Sequence, residues 1–414
     1  MRLLLINQFF WPDCAPTSQL LADVATDAAL AGHEVTVLCS KSGYAPLNVD
    51  GEPPVRILRL AAAPFQRNPA GRILSYGSFL CGVLWHAMRV AKPDAVLLLT
   101  TPPLLGMVGT LLKRLRKCPY YIWEMDMYPD IAVDLGFLKQ QSIGARSIGW
   151  AAERIWQGAD GIIALGPCMK ERLVRKGIAA EKIHVKENWA NGTQIRPMPF
   201  PDNGRLNVLY SGNFGLAHDV TTILEGIKLL RQDRRFRFVF AGGGANRSAL
   251  QKLCGEEDFP TVHFDPYCEP GGLSASLGAC DVGLVTQLPQ TAGSVVPSKV
   301  YGIMAAGRPV LYVGPKNATP CGVIERFGCG WQVDPGDTAA LVRLLQRLAD
   351  DSGAVAEAGA NARLAFEQHY DRRIGAQRIL DVIGGVTPTR PASPMPCQAA
   401  QEAVNGSSSN EEFA

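Results

Sequence analysis

The sequence predicts an α/β protein built from two doubly wound domains, and three observations lead to that prediction. Hydrophobic residues make up 47% and charged residues 19% of the 414 residues, which is typical of a globular protein. Both halves of the chain open with the same order of strand, loop, helix and strand. Further short apolar runs alternate with helical patterns. Repeated strand–helix–strand units require parallel sheets with right-handed crossovers.

The first half begins with a buried strand at 2–6 and a loop from Pro12 to Ser18. Thr17 or Ser18 is suited to cap the next helix, which ends near Leu30. The apolar pattern then predicts a second strand and four more, at 33–39, 95–99, 119–123, 161–165 and 183–187.

The second half repeats the order with a strand at 206–212, a helix at 220–230 and a strand at 236–244. Later strands are predicted at 262–264, 282–286 and 310–313. A stretch rich in Pro, Gly and Asn at 192–205 indicates the boundary between the domains. We therefore predict domains at 1–195 and 196–386, and a disordered tail at 387–414 that has the composition of a loop.

The composition also limits the compartment and the partners. The net charge of +3 gives no reason to expect nucleic acid. Eleven cysteines contain no C-x-x-C pair, which argues against a zinc site and against a secreted disulfide framework. The apolar start of the chain is too short for a signal peptide. These features predict a cytoplasmic protein.

Two uncharged stretches are apolar enough to be considered as membrane-spanning or membrane-surface segments. In residues 95–112 the sequence TTPP interrupts the apolar run, which favours a strand, a turn and a helix from about Leu104 over a membrane span. Residues 73–88 lie between Arg72 and Arg89, and they fit either a core helix or a helix on a bilayer surface. Together with the basic cluster at 113–117, they predict peripheral contact with the inner face of the cell membrane.

Lys299 is the most unusual charge in the sequence. Ser298 is positioned to cap a helix that Gly307 and Pro309 end, and Lys299 therefore falls in its first turn. A cation there costs roughly 0.3–1 kcal/mol, because the start of a helix carries partial positive charge. A bound anion would reverse that sign. The alternative is an ion pair with a surface carboxylate.

In open parallel sheets, ligands bind beyond the carboxyl ends of the strands. Those ends carry neither a G-x-G-x-x-G motif nor a P-loop, and no G-x-S-x-G elbow occurs. Glu124 and Asp126 resemble a weak metal pair, without a third ligand nearby in sequence. The other polar or glycine residues at strand ends are Ser211, Gly212, Asn213, Gly242, Gly243, Gly244, Asp265 and Tyr267.

Several stretches together resemble glycosyltransferase family 4, in the branch that builds cell-surface polysaccharides and includes colanic-acid type enzymes. They are INQFFWPDCAPTSQLLADVATDAALAGHEVTVL, VKENWANGTQIRPMP, YSGNFGLAHD, FVFAGGG and SVVPSKVYGIMAAGRPVLYVG. The similarity covers roughly residues 1–385. It implies a GT-B fold, in which two Rossmann-like domains face a cleft. It also implies a nucleotide sugar held by the second domain, an acceptor held by the first, and retention of configuration without a metal.

The chain departs from the family pattern at its donor contacts. Many members place two glutamates around the helix that begins here at Lys299, and those positions hold Ser294 and Gly302. An Arg and a Lys that usually meet the diphosphate become Asn213 and His218. A Gly-Gly pair in the first loop becomes Ala15 and Pro16. The resemblance places Pro297, Ser298 and Lys299 where the lost contacts would be.

These positions give the candidate site. Lys299, with His218 across from it, would stabilise the negative charge on a departing nucleoside diphosphate. Asp126 would accept a proton from the acceptor hydroxyl, or else act as a helix-capping carboxylate. Gly242 and Gly243 would let the backbone approach the donor or simply form a turn. Tyr267 would lie beside the nucleoside base or be a half-buried aromatic residue. The donor-binding set is Gly212, Asn213, His218, Gly242, Gly243, Tyr267, Ser294, Pro297, Ser298 and Lys299.

The sequence therefore predicts a retaining, metal-independent transferase that needs no cofactor. It would move a hexosyl or N-acetylhexosaminyl group from a nucleotide sugar to a polyprenyl-linked saccharide. Two alternatives remain, a GT-B-fold epimerase or phosphorylase and a non-catalytic sugar-binding or scaffold subunit. The loss of both glutamates favours the non-catalytic subunit. The presence of P-S-K and of the glycine strand ends opposes it.

Overall fold

Two parallel sheets organise the chain, as the alternation of strands and helices predicts. A computed structural model describes residues 1–43, 51–66, 68–256, 259–268 and 270–385. In that part of the chain the strands are β1 Arg2–Ile6, β2 Glu34–Ser40, β3 Arg56–Leu60, β4 Ala95–Leu99, β5 Tyr120–Glu124, β6 Gly161–Ala164, β7 Ile183–Val185, β8 Leu206–Asn213, β9 Phe236–Gly243, β10 Val262–Asp265, β11 Val282–Thr286, β12 Val310–Val313 and β13 Gly330–Val333.

Helices cover the faces of both sheets. They are α1 Pro16–Leu30, α2 Pro69–Ala87, α3 Gly106–Arg116, α4 Asp130–Asp134, α5 Ile143–Gly158, α6 Pro167–Arg175, α7 Thr221–Leu230, α8 Ala245–Glu256, α9 Leu273–Gly278, α10 Lys299–Ala305, α11 Thr319–Phe327, α12 Thr338–Asp350, α13 Ser352–Ala365 and α14 Arg372–Ile383. None of these helices is long and apolar enough to cross a membrane.

The strand orders are those of doubly wound sheets. The first sheet has seven strands in the order β3-β2-β1-β4-β5-β6-β7, and the second has six in the order β10-β9-β8-β11-β12-β13. In each sheet the order reverses beside the first strand of the domain, β1 or β8, and ligands bind at such a reversal in open α/β sheets. The prediction of two Rossmann-like domains is confirmed.

Two details of the helices differ from the sequence predictions. Helix α1 begins at Pro16 after Ala15, and no side chain caps it, so neither Thr17 nor Ser18 has the predicted role. Proline supplies a preset φ at the first helical position and needs no capping partner. Helix α2 begins at Pro69 behind an Asn68 cap and buries Phe79 and Val83 in the core. Its prediction as a core helix is therefore confirmed for that face.

The last helix returns to the first domain. Residues of α14 join the core beneath the first sheet, and this helix packs against α1. Arg372 pairs with Asp23, at 2.9 Å, and with Asp27 of α1. The chain therefore crosses between the domains twice, once after β7 and once between α13 and α14. The predicted boundary at 195/196 stays a prediction, and the predicted tail from 387 lies outside the described residues.

Candidate functional site

The ends of β8 and β9 come unusually close together because each strand has a glycine at the point of contact. Gly212 pairs with Gly242 across the sheet, and both have positive φ, of 117° and 118°. A β-carbon on Gly242 would lie 2.3 Å from the carbonyl oxygen of Gly212. No other residue fits this backbone approach. The two strand ends thus form a smooth floor of backbone, with Asn213 and Gly243 as its last paired residues.

Lys299 lies against this floor. Its Nζ donates to the carbonyl oxygen of Asn213 at 3.3 Å and sits 5.0 Å from the ring centre of Tyr210. A β-carbon on Gly212 would come within 3.0 Å of Lys299 Cε. In the part of the chain that the structure describes, Lys299 has no carboxylate within 4.0 Å. Burial lowers the pKa of this lysine to about 8, which indicates an ammonium group without its counter-charge.

The start of helix α10 differs from the prediction. Ser298 precedes the helix, but its side chain makes no capping hydrogen bond. The helix is only seven residues long. Its dipole is correspondingly small, so most of the positive charge at this position comes from the ammonium group of Lys299.

His218 is close to Lys299 but is not a second cation. Its Nδ1 lies 2.7 Å from the carbonyl oxygen of Thr286, so Nδ1 carries the proton and donates it. Burial, and then the charge of Lys299, lower the pKa of His218 to about 3. The imidazole is therefore neutral at physiological pH. The neutral ring adds no positive charge beside Lys299 for a departing diphosphate, and the predicted place of His218 near the donor stays a prediction.

Tyr267 and Ser294 are placed very differently. Tyr267 is 60% exposed, and its ring borders Gly243, where a β-carbon would lie 2.9 Å from Cε2. It therefore stands at the edge of the floor, and it is more exposed than a half-buried residue. Ser294 is fully buried, and its hydroxyl donates to the carbonyl oxygen of Thr291 at 3.1 Å. That hydroxyl is engaged within its own turn and is not presented to the cleft.

Asp126 belongs to the first domain and meets the segment before Lys299 through its backbone. It follows β5 and forms a bridge with Val295, and the next residue, Met127, donates its N–H to the carbonyl oxygen of Ser294 at 2.9 Å. The first domain therefore touches the segment that leads to Lys299. Burial raises the pKa of Asp126 to about 6. A carboxyl group with a pKa near neutrality is suited to accept a proton.

Glu124 is the buried neighbour of Asp126. It is 2% exposed and accepts a hydrogen bond from Trp156 Nε1 at 2.8 Å. Burial raises its pKa to about 8, so this group is largely protonated at neutral pH. Both carboxyl groups line a cavity of about 30 Å³, which has room for about one water molecule. Among the described residues, no three His, Cys, Asp or Glu side chains group as metal ligands.

Sequence reasoning missed Arg172 and Tyr210. Arg172, on α6, donates to carbonyl oxygens of the second domain, and Tyr210, inside β8, donates its hydroxyl proton to the Asn213 carbonyl oxygen at 2.8 Å. Arg172 follows no motif, because its partners are carbonyl groups that any residue provides. In the sequence, Tyr210 cannot be distinguished from any other buried residue of a strand.

Two protein-family models match the chain in tandem. The glycosyl transferase 4-like domain matches residues 19–189, and glycosyl transferases group 1 matches residues 193–365. The probable glycosyltransferase WbjE of Pseudomonas aeruginosa is 28% identical over 329 residues, which cover 76% of this chain and 81% of that protein. The putative colanic acid biosynthesis glycosyl transferase WcaI of Escherichia coli K12 is 25% identical over 371 residues, which cover 83% and 90%.

Solved structures share the whole architecture. Sucrose-phosphate synthase from Thermosynechococcus elongatus aligns with a TM-score of 0.76 at 18% identity, covering 93% of this chain and 98% of that one. HepE from Anabaena, in complex with UDP-glucose, aligns with a TM-score of 0.69 at 14% identity, covering 93% and 100%. The two tandem models and the shared two-domain architecture lead to one conclusion: this chain belongs to the family 4 type of glycosyltransferases with the GT-B fold.

Proposed function

We propose that this glycosyltransferase moves a sugar, with retention of configuration, from a nucleotide-sugar donor to a lipid-linked saccharide in cell-surface polysaccharide biosynthesis. The observation that carries the proposal is the half-buried ammonium group of Lys299 above the glycine floor, with no carboxylate beside it among the described residues. A diphosphate group would supply the missing counter-charge. The polysaccharide role is supported by the likeness to WcaI, and the nucleotide sugar by the likeness to HepE.

The bonds exchanged in this reaction assign a task to each group. The bond between the sugar C1 and the phosphate oxygen breaks, and C1 bonds to the acceptor oxygen. Lys299 stabilises the negative charge that develops on the departing diphosphate, so the site needs no metal. Asp126 accepts the proton of the acceptor hydroxyl. The transferred group is a hexosyl or N-acetylhexosaminyl unit in this proposal.

The donor half is tested by thermal stability with UDP, GDP, ADP and dTDP. A diphosphate present at 100 times its Kd stabilises the protein by about 2.7 kcal/mol. The proposal expects at least one to raise the melting temperature, equally with and without EDTA. No shift with any of them, or a shift that EDTA abolishes, would contradict the donor site or its independence from metal.

The transfer half needs a lipid-linked acceptor and the matching nucleotide sugar. We expect a product whose anomeric configuration equals that of the donor, by proton NMR of the new linkage. Binding without turnover with any acceptor would favour a sugar-binding subunit. An altered donor sugar in place of a transferred one would indicate an epimerase.

The first domain carries the face that we propose to contact the membrane. Helix α3 packs beside both α2 and α5. Each outer helix exposes a tryptophan, and an arginine follows it four residues later in the chain. Arg89 Cζ, just beyond the end of α2, lies 3.1 Å from the ring centre of Trp85, and Arg154 Cζ lies 5.5 Å from that of Trp150. Between α3 and α5, a concavity of about 440 Å³ has five basic residues in its lining, namely Lys113, Arg114, Lys117, Arg154 and Lys182. Exposed aromatic residues beside basic ones fit the headgroups of anionic lipids.

Flotation with phosphatidylglycerol vesicles at low salt tests this face. We expect the protein to float with these vesicles and to stay behind with phosphatidylcholine alone. Arg114→Glu with Lys117→Glu should reduce flotation, while Arg343→Glu, on α12 of the second domain, should not. Equal flotation of all variants, or none by the wild type, would contradict the proposal.

A further inference from the structure

The segment Pro289–Val296 leads directly into Pro297 and Lys299, and its own domain shapes it. Gln287 Nε2 donates to the carbonyl oxygens of Thr291 and Val295, both at 3.2 Å. The hydroxyl of Tyr312 holds the other end of that amide, at 2.8 Å from Gln287 Oε1. These bonds fix the shape of the segment, which we call the donor loop. They do not fix its position relative to the first domain.

Arg172 of the first domain supplies that second constraint. Its Nε donates to the carbonyl oxygen of Ala292 at 2.7 Å, and its Nη2 to that of Gln290 at 2.8 Å. Its Nη1 lies 2.8 Å from Asp134 Oδ2 on α4. Two nitrogen atoms of the guanidinium group therefore hydrogen-bond to the loop, and the third forms an ion pair with the first domain. A planar donor group suits two carbonyl oxygens and a carboxylate at once, which an ammonium group does not.

The charges around Arg172 are balanced within the first domain. Asp130 lies 3.0 Å from Lys176 and 3.7 Å from Arg172, so two carboxylates face two cations. The donor loop contributes only backbone carbonyl groups to this cluster. The ion pairs of the cluster therefore do not depend on the loop. The loop is bound to the cluster through its carbonyl groups.

The loop also runs tightly against α6. Gly293 has a φ of 80°, and a β-carbon there would lie 2.6 Å from the carbonyl oxygen of Cys168. Beside this contact, Met127 N–H donates to Ser294 and Asp126 bridges Val295. The loop thus meets the first domain at Arg172, at Cys168 and at the residues around Asp126.

We infer that Arg172 is a positioning residue, which fixes the donor loop against the first domain and thereby places Lys299 for the donor diphosphate. This inference rests on the proposed donor site. Arg172 itself is not assigned a substrate contact, because its Nε and Nη2 bind the loop and its Nη1 pairs with Asp134. Loss of Arg172 would leave the internal bonds of the loop and its contacts near Cys168 and Met127 in place, and would loosen its position at Gln290 and Ala292.

The test uses the full-length protein and the nucleoside diphosphate that stabilises the wild type most. Arg172→Ala should weaken its binding by roughly 10- to 100-fold, the range for losing hydrogen bonds from a charged donor. The KM for the nucleotide sugar should rise more than kcat falls. The affinity of Arg172→Lys should lie between those of the wild type and Arg172→Ala, because lysine keeps the pairing with Asp134 but not both carbonyl contacts. Arg175→Ala, on the same helix, should bind like the wild type.

Two further measurements separate positioning from a general loss of structure. Millimolar guanidinium should partly restore binding to Arg172→Ala and not to Lys299→Ala. Gly293→Ala, which forces the loop away from Cys168, should raise KM in the same way with Arg172 intact, even if Arg172→Ala does not fold. A wild type that binds no nucleoside diphosphate would contradict the proposed function. A wild type that binds, with Arg172→Ala and Gly293→Ala indistinguishable from it, would overturn the role of Arg172.

Discussion

Lys299 is half-buried, and the bonding partners of its ammonium group are a carbonyl oxygen and an aromatic ring. This arrangement costs free energy in the empty protein and becomes favourable when an anion arrives. Lys299→Ala should therefore unfold at the same temperature as the wild type or slightly above it, because Tyr210 still donates to Asn213. The same change should weaken diphosphate binding and slow transfer by roughly 10- to 1000-fold. Calorimetry and a transfer assay measure both effects.

Lys299→Arg is the matched variant, and it should recover only part of the activity because a planar group does not replace a compact one. If the alanine variant binds and turns over normally but unfolds earlier, Lys299 has a structural role and the donor site lies elsewhere.

The pKa of Lys299 predicts how binding depends on pH. With a folded pKa lowered to about 8, the free protein loses the ammonium charge as the pH rises through 8. Since a diphosphate binds the protonated form, its affinity should fall above pH 8, by up to about tenfold per pH unit. The free energy of unfolding of the empty protein should instead rise between pH 8 and 10.5. In that range the unfolded lysine still binds its proton and the folded one does not. Lys299→Arg should show neither change, and a persisting fall in affinity would point to another group.

Single residues of the site were predictable only in part. The sequence placed Lys299, Gly212 and Gly242 together because strand ends of a parallel sheet share one edge. It did not predict that Ser298 makes no cap or that His218 is neutral. Those properties depend on a carbonyl group and on burial, and neither is visible in the local sequence.

Strand ends β8 and β9 show how a pair of elements creates a binding surface. Gly242→Ala should cost about 2–4 kcal/mol, since the new methyl group meets the Gly212 carbonyl oxygen and φ is 118°. Gly77→Ala in α2 is the control, because a β-carbon there meets nothing within 4 Å and should stabilise the helix by about 0.5–1 kcal/mol. Urea unfolding of both variants measures the difference. Equal stabilities would mean that the two strand ends are not packed as described.

Elements with strong patterns were predicted best. The central strands β1, β4, β8 and β11 are buried apolar runs that leave little choice of structure. Strands β3 and β13 lie at the edges of their sheets, where residues such as Arg56 and Gln332 interrupt the pattern. The sequence analysis did not predict these two strands, although it predicted the other two edge strands, β7 and β10.

At the scale of the whole molecule, α14 completes the first domain from the far end of the sequence. A chain ending at Tyr370 should lose at least about 5 kcal/mol, because Ile379, Leu380 and Ile383 no longer bury about 1.5–3 kcal/mol each. A chain ending at Gly385 is the control and should melt like the wild type, since the later residues have no apolar pattern. Equal melting of both truncated chains would show that α14 is dispensable. A lower melting temperature for the control would show that the tail is part of the fold.

The return of α14 to the first domain should reverse the usual order of folding during protein synthesis. Domains ordinarily fold in the order in which the ribosome releases them. Here the second domain, from β8 to α13, is complete before Arg372 has been made, while α1 still lacks the helix that covers it. A nascent chain stalled before residue 372 should therefore protect its second domain from protease and leave the first open to cleavage. The first domain, although it is translated before the second, should then be the later of the two to become stable, and its exposed apolar surface is where a chaperone would be needed.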